Sequence, residues 1–242
     1  MVVVITTLAL ASVAAFALAV LSAVAGFGGG VLLLPVFTAM FGLRVAVPVL
    51  TITQLASNGG RVWFNRHELR WGLIARFSAG AVPLAIVGAL LLAAAPLAAL
   101  KRVLGVFLMA VVAWRHIRRQ PRAPSDNAFV AVGAASGAGS ALLGSVGPLT
   151  APFFLAKGLV RAAYVGTEAA CALVMHLAKI AGYGAGALLT TRVVLLGAAL
   201  VPATLAGTWC GKALVGRMSE KVFVRLVEAG LVVAAVLFLV GL

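Results

Sequence analysis

Acidic residues are the scarcest polar feature of this chain: five in 242, against 19 lysines and arginines. Glu68, Asp126, Glu168, Glu220 and Glu228 lie far apart, with no aspartate pair, no His-Glu-x-x-His and no Gly-x-Ser-x-Gly turn. Intramembrane hydrolysis rests on such patterns, so neither an enzyme nor a cofactor is expected. Cysteine is almost missing as well. Cys171 and Cys210 sit in apolar runs without the spacing of a metal site, as buried free thiols do. Charge of either sign is thin. Only 10% of residues are charged, 64% are hydrophobic, and the mean hydropathy is +1.18. A soluble domain of this size could not conceal so much apolar surface, so the chain reads as an integral membrane protein.

The net charge of +14 would suggest nucleic acid in a soluble chain. Here most basic residues fall in short loops between apolar runs, where they set topology and meet anionic headgroups. The expected partners are the lipid bilayer and a small solute, not nucleic acid. Apolar runs cover 3–25, 29–42, 45–60, 71–95 and 99–114, then 128–143, 147–156, 162–188, 193–212 and 221–242. Ala23-Val24-Ala25 looks like a signal-peptidase site. No basic residue precedes it and a counterpart exists at 128–143, so a mature helix is expected there. Trp63, Trp71 and Trp114, with Trp209, read as interface anchors, and Arg76 and Arg225 as residues that snorkel to headgroups.

The chain repeats itself. Gly30, Pro35, Phe37 and Arg44 recur as Gly147, Pro152, Phe154 and Arg161, and Pro83 and Gly88 recur as Pro202 and Gly207. A glycine-rich break opens each half, and the run after it is short: 29–42 reaches about 21 Å and 147–156 about 15 Å as helix. Each break therefore reads as the tip of a helical hairpin at membrane depth. With the basic linker inside, a turn at each break puts twelve basic residues inside: Arg115, Arg118, Arg119, Arg122, Arg61, Arg66, Arg70, Lys157, Arg161, Lys212, Arg217 and Lys221. It leaves Arg44, Lys101, Arg102 and Arg192 outside, whereas a mere kink divides the sixteen equally. The expectation is an all-α integral membrane protein of two inverted-topology repeats, each a short hairpin plus three transmembrane helices. The repeats are 1–114 and 128–242, the linker 115–127, and both termini extracytoplasmic.

Glycines at the breaks, Gly28, Gly29 and Gly30 in the first copy and Gly144 and Gly147 in the second, free helix amino ends to hold an anion. The bland alternative is close helix packing by small residues. In the next helix of the first half, Thr51, Gln54, Asn58 and Arg61 share one face; in the second, Glu168, Cys171, Met175 and Lys179 do, flanked by Thr167 and His176. An ionisable group at bilayer depth costs on the order of 3 kcal/mol, so such groups are presumed functional. Thr51, Gln54, Asn58, Thr167, His176 and Lys179 are candidate anion ligands, and Glu168 a candidate for proton coupling. Eleven residues apart on a helix, Glu168 and Lys179 are about 16 Å from each other, so each needs another partner.

Gly26-Phe27-Gly28-Gly29-Gly30, then Pro35, then a threonine-bearing helix ending in Asn65-Arg66-His67, resembles the TauE/SafE family of bacterial permeases, the sulfite exporter or toluene sulfonate uptake family. The second half repeats the pattern through Gly144, Gly147, Pro152 and Gly166-Thr167, with Glu168 where the family commonly has a small hydroxyl. The resemblance implies a multi-pass inner-membrane transporter of sulfite, organosulfonates or related anions. A channel of the same fold and a membrane assembly protein without transport are the alternatives.

Overall fold

In a computed structural model the described residues are 2–25, 29–96, 98–100, 123–144, 146–159 and 161–214, with scattered helical positions from 102 to 113 and from 232 to 240. Gly28, Trp114, Arg225, most of the basic linker and most of the last apolar run lie outside them. Eight α-helices are described: α1 (Val2–Ala25), α2 (Gly29–Phe41), α3 (Leu43–Phe64), α4 (Trp71–Ala94), α5 (Ala128–Leu143), α6 (Gly147–Ala156), α7 (Arg161–Ala185) and α8 (Thr191–Leu214). A 3₁₀ turn (Arg66–Glu68) joins α3 to α4, and no strand occurs among the described residues. The helices fall on the apolar runs. One boundary matters: α3 continues to Phe64, beyond the apolar run that stops at 60, and so takes Arg61 into the helix.

Polarity is turned inside out. Leu84, Val87, Leu91, Leu195 and Leu205 are exposed, whereas Gln54, Asn58, Arg61, Glu168, His176 and Lys179 are buried. Lipid accepts the first set, and the interior must satisfy the second. Among the described residues, three helices are long and apolar enough to cross a membrane, within α4, α7 and α8, and shorter apolar stretches lie in α1 and α5. Trp63, Trp71 and Trp209 are exposed.

The two halves interlock. The first helix of each packs on the fourth helix of the other, α1 on α8 and α5 on α4; α3 crosses α8 as α7 crosses α4, and α3 meets α7 at the centre. Small residues make the crossings close. A Cβ at Gly80 of α4 would run into the Val130 carbonyl of α5, and one at Gly133 of α5 into the Phe77 carbonyl of α4. The recurring pair Gly88 and Gly207 has the same use. An added Cβ would lie 2.8 Å from that of Ala141 at the first and 2.9 Å from that of Ala19 at the second.

Contacts also sort the loops by end. Lys157 Nζ, just after α6, donates to the Pro124 carbonyl at 3.2 Å and pairs with Asp126 at 2.6 Å. Arg76 of α4 reaches the same carboxylate at 3.5 Å. At the other end Arg44 Nη2 donates to the Ala95 carbonyl at 2.9 Å, and Gly186 after α7 lies against Ala93. Thus Arg76, expected to snorkel, is instead paired with an acid from the linker, and Asp126 gains a cluster that its sequence neighbourhood did not suggest.

Gly133→Val should cost about 1–3 kcal/mol or more, as overpacking against rigid backbone does. Gly59→Ala, with no atom within 4 Å of its added methyl, should be neutral. Thermal unfolding in detergent measures both, and equal melting temperatures would contradict the close crossing.

Candidate functional site

Where α3 and α7 meet, beside the starts of α2 and α6, there is a small cavity of about 20 Å³, room for roughly one water. Gly30, at the start of α2, and Gly147, at the start of α6, both line it. A helix start leaves its first N–H groups without helical partners. Val146, the cap of α6, makes no side-chain capping bond. Gln54 and Asn58 reach the cavity from α3, and Glu168 and His176 from α7. Gly29 begins α2, and Gly28 lies outside the described residues.

Arg61, counted in the sequence as a topological charge, also lines this cavity. Its Nη1 pairs with Glu168 Oε2 at 3.4 Å, each side chain only 6% exposed, and its Nη2 donates to Asn58 Oδ1. Here is the partner that Glu168 required. The spacing from Thr51 through Gln54 and Asn58 already carried Arg61 on the same face. Only the extra turn of helix brings it inside.

Lys179 has a different office. Its Nζ, wholly buried, donates to the Gly144 carbonyl at 2.8 Å and to Ser140 Oγ at 3.1 Å, and stands 3.2 Å from His176 Nδ1. Gly144 is the carboxy-terminal cap of α5, at φ 76, a left-handed conformation that glycine adopts without strain. A cation at such an end meets both the unpaired carbonyls and the negative pole of the helix. Tyr183 helps: its hydroxyl donates to the Ala141 carbonyl at 2.6 Å. The contact with His176 Nδ1 ties the lysine to the imidazole that borders the cavity. Lys179 therefore stands one layer behind the cavity wall and holds both the break and His176.

Two threonines are engaged elsewhere. Thr51 Oγ1 donates to the Val47 carbonyl at 2.9 Å within α3. Thr167 Oγ1 accepts from the Arg70 N–H at 3.1 Å and so clamps the α3–α4 loop to α7. Neither lines the cavity. Cys171 is buried beside Glu168 on the cavity wall, and Cys210 is half-buried in α8. No group of three metal-ligating side chains occurs among the described residues.

A larger cleft of about 610 Å³ lies at the linker end, lined by Glu68, Arg70, Asp126 and Lys157 among others. There the hydrogen bond from Lys157, aided by the charges of Lys157 and Arg76, holds the exposed Asp126 carboxyl below its ordinary range.

Two outcomes are expected. Lys179→Ala leaves buried acceptors unsatisfied and should cost about 1–3 kcal/mol of stability, read by thermal unfolding. Asp126→Asn should destabilise at neutral pH. Because the folded-state value is depressed, that difference is present above the ordinary aspartate range and vanishes as pH falls through the lowered value. A cost of the Asn variant that stays constant into acid would refute the ion pair.

A family model described as Sulfite exporter TauE/SafE matches residues 11–238, nearly the whole chain. No curated protein and no solved structure matches it.

Proposed function

Because the chain belongs to the sulfite exporter TauE/SafE family, whose members are membrane transporters of sulfur anions, we propose that it carries sulfite, an organosulfonate or a related anion across the bacterial inner membrane by alternating access. One observation carries the reading: Gly30 and Gly147, the starts of two broken helices from different halves, line a single cavity with Gln54, Asn58 and His176. Helix amino ends attract anions by their N–H groups and by the positive pole of the helix dipole. Carboxamide and imidazole donors fix orientation. Glu168 is the site of proton coupling. Lys179 acts through His176 and Gly144 rather than by touching the cargo, and Thr51 and Thr167 hold the helices that present the other ligands.

The halves, 1–114 and 128–242, are inverted repeats joined by a cytoplasmic linker at 115–127. The reciprocal packing of α1 on α8 and α5 on α4 supports a repeat, because exchanging the halves returns the same pattern. The position of Lys157 beside the linker, while Arg44 stands at the other end, supports inversion, being the partition that the charge count requires of an inverted pair. A cavity with room for about one water suits an occluded carrier better than an open channel.

Two measurements test this. In proteoliposomes, labelled sulfite should enter saturably, show counterflow and respond to a pH gradient. Asn58→Ala and His176→Ala should each lower the flux about tenfold or more, the usual cost of one hydrogen bond to a charged group. Linear flux without counterflow would identify a channel, and absence of any sulfite or sulfonate flux would end the proposal. For topology, single cysteines at Gly42 and Gly158 in a background lacking Cys171 and Cys210 should react with an impermeant maleimide from opposite sides. Labelling of both from one side would refute inversion.

A further inference from the structure

We infer that Arg61 is the counter-charge of the transported anion, and that Glu168 occupies it only while no anion is bound. This deepens the transport reading and rests on it. An arginine guanidinium stays protonated in proteins, so a buried one needs a negative partner at every stage of a cycle. Among the described residues, Glu168 supplies a negative charge at 3.4 Å. That separation is long for a charge-assisted bond, whose usual length is about 2.7–2.9 Å. The contact is a loose one, and Arg61 and Glu168 come from different halves, on α3 and α7.

Space makes the relation exclusive. The guanidinium, the carboxylate and both helix starts border the same cavity, which has room for about one water. A four-atom oxyanion fits against Arg61 only if the carboxylate withdraws. Once separated from Arg61, Glu168 has no other lysine or arginine beside it among the described residues of the cavity wall. Tyr164, Cys171 and His176 are its other titratable neighbours, all from α7. The helices α2, α4 and α6 bring Gly30, Phe77 and Thr150 to the wall, none of them titratable. Glu68 and Arg70 lie farther out, in the cleft at the linker end. Binding thus becomes an exchange: Arg61 gives up the carboxylate and takes the anion, and Glu168 takes one proton. One proton accompanies each anion charge that Arg61 accepts, so no uncompensated charge enters the interior.

Along α7, Glu168 lies five residues, or about 7.5 Å, deeper than Ala163 on the wall of the cleft. Glu168 is thus the cavity-lining residue of α7 nearest the cleft.

The test is sulfite binding to the purified full chain, followed by calorimetry across a pH series. In Glu168→Gln the competitor is gone, so at neutral pH affinity should rise about tenfold, the effect of about one unit of coupling between the two sites. The ratio of variant to wild-type affinity cancels sulfite's own titration. It should rise with pH and shrink toward unity in acid, where Glu168 is already protonated. The Arg61→Gln, Glu168→Gln double variant removes both charges, leaves no buried ion alone, and should fold as judged by its melting temperature but bind at least tenfold more weakly than the single variant. Wild-type affinity and an unchanged pH profile in Glu168→Gln would overturn the competition. Sulfite bound equally by the double and single variants would overturn the role of Arg61. Lack of binding by every form, wild type included, would instead reject sulfite as cargo and this inference with it.

Discussion

Lipid offers no water to an interrupted helix, and that constraint governs the rest of the structure. Every carbonyl and N–H freed at a break must find its partner in protein or in an enclosed cavity. The second break shows both solutions side by side. The carboxy end of α5 is satisfied by side chains of α7, Lys179 on Gly144 and Tyr183 on Ala141. The amino end of α6, three residues on, has no side-chain cap and borders the cavity. One end is closed by a cation and the other is open to an anion, which is the polarity that the helix dipole favours at each.

From this follows the division of labour on α7. Its central face carries both the group that stabilises the break and the groups that line the cavity. Lys179 and His176 touch each other, so the residue that supports the fold also holds the ring of His176 in place. A substitution at Lys179 therefore disturbs the cavity wall from behind, without itself lining the cavity.

Much of the fold was legible from residues alone, because apolar runs and loop charges report directly on immersion in lipid. The helices follow the runs within a few residues, and Gly88 and Gly207, first noticed as a recurrence, prove to be the close crossings of α4 on α5 and α8 on α1. The candidate site was only partly legible. Gln54, Asn58, Glu168, His176, Gly30 and Gly147 lie together on one cavity, while Thr51, Thr167 and Lys179 spend their polar atoms on backbone carbonyls, a neighbouring N–H or the next side chain. Helical spacing tells which residues share a face. It does not tell which atom across the interface will claim a hydroxyl or an ammonium. Arg61 escaped for a related reason: apolarity ended at 60, yet the helix went on, since a buried acid from the other half made one more polar turn tolerable.

The tight seams and the polar centre depend on each other. Where α4 meets α5, backbone approaches backbone so closely that no methyl fits at Gly80 or Gly133, and water is excluded with it. Excluding water from the flanks lowers the effective dielectric around α3 and α7, and each charge there acts more strongly on its neighbours. A wetter bundle would screen Arg61 from Glu168 and let either stand alone. In this one Arg61 and Glu168, from different halves, stand within 3.4 Å of each other in a dry surround, where each acts strongly on the other.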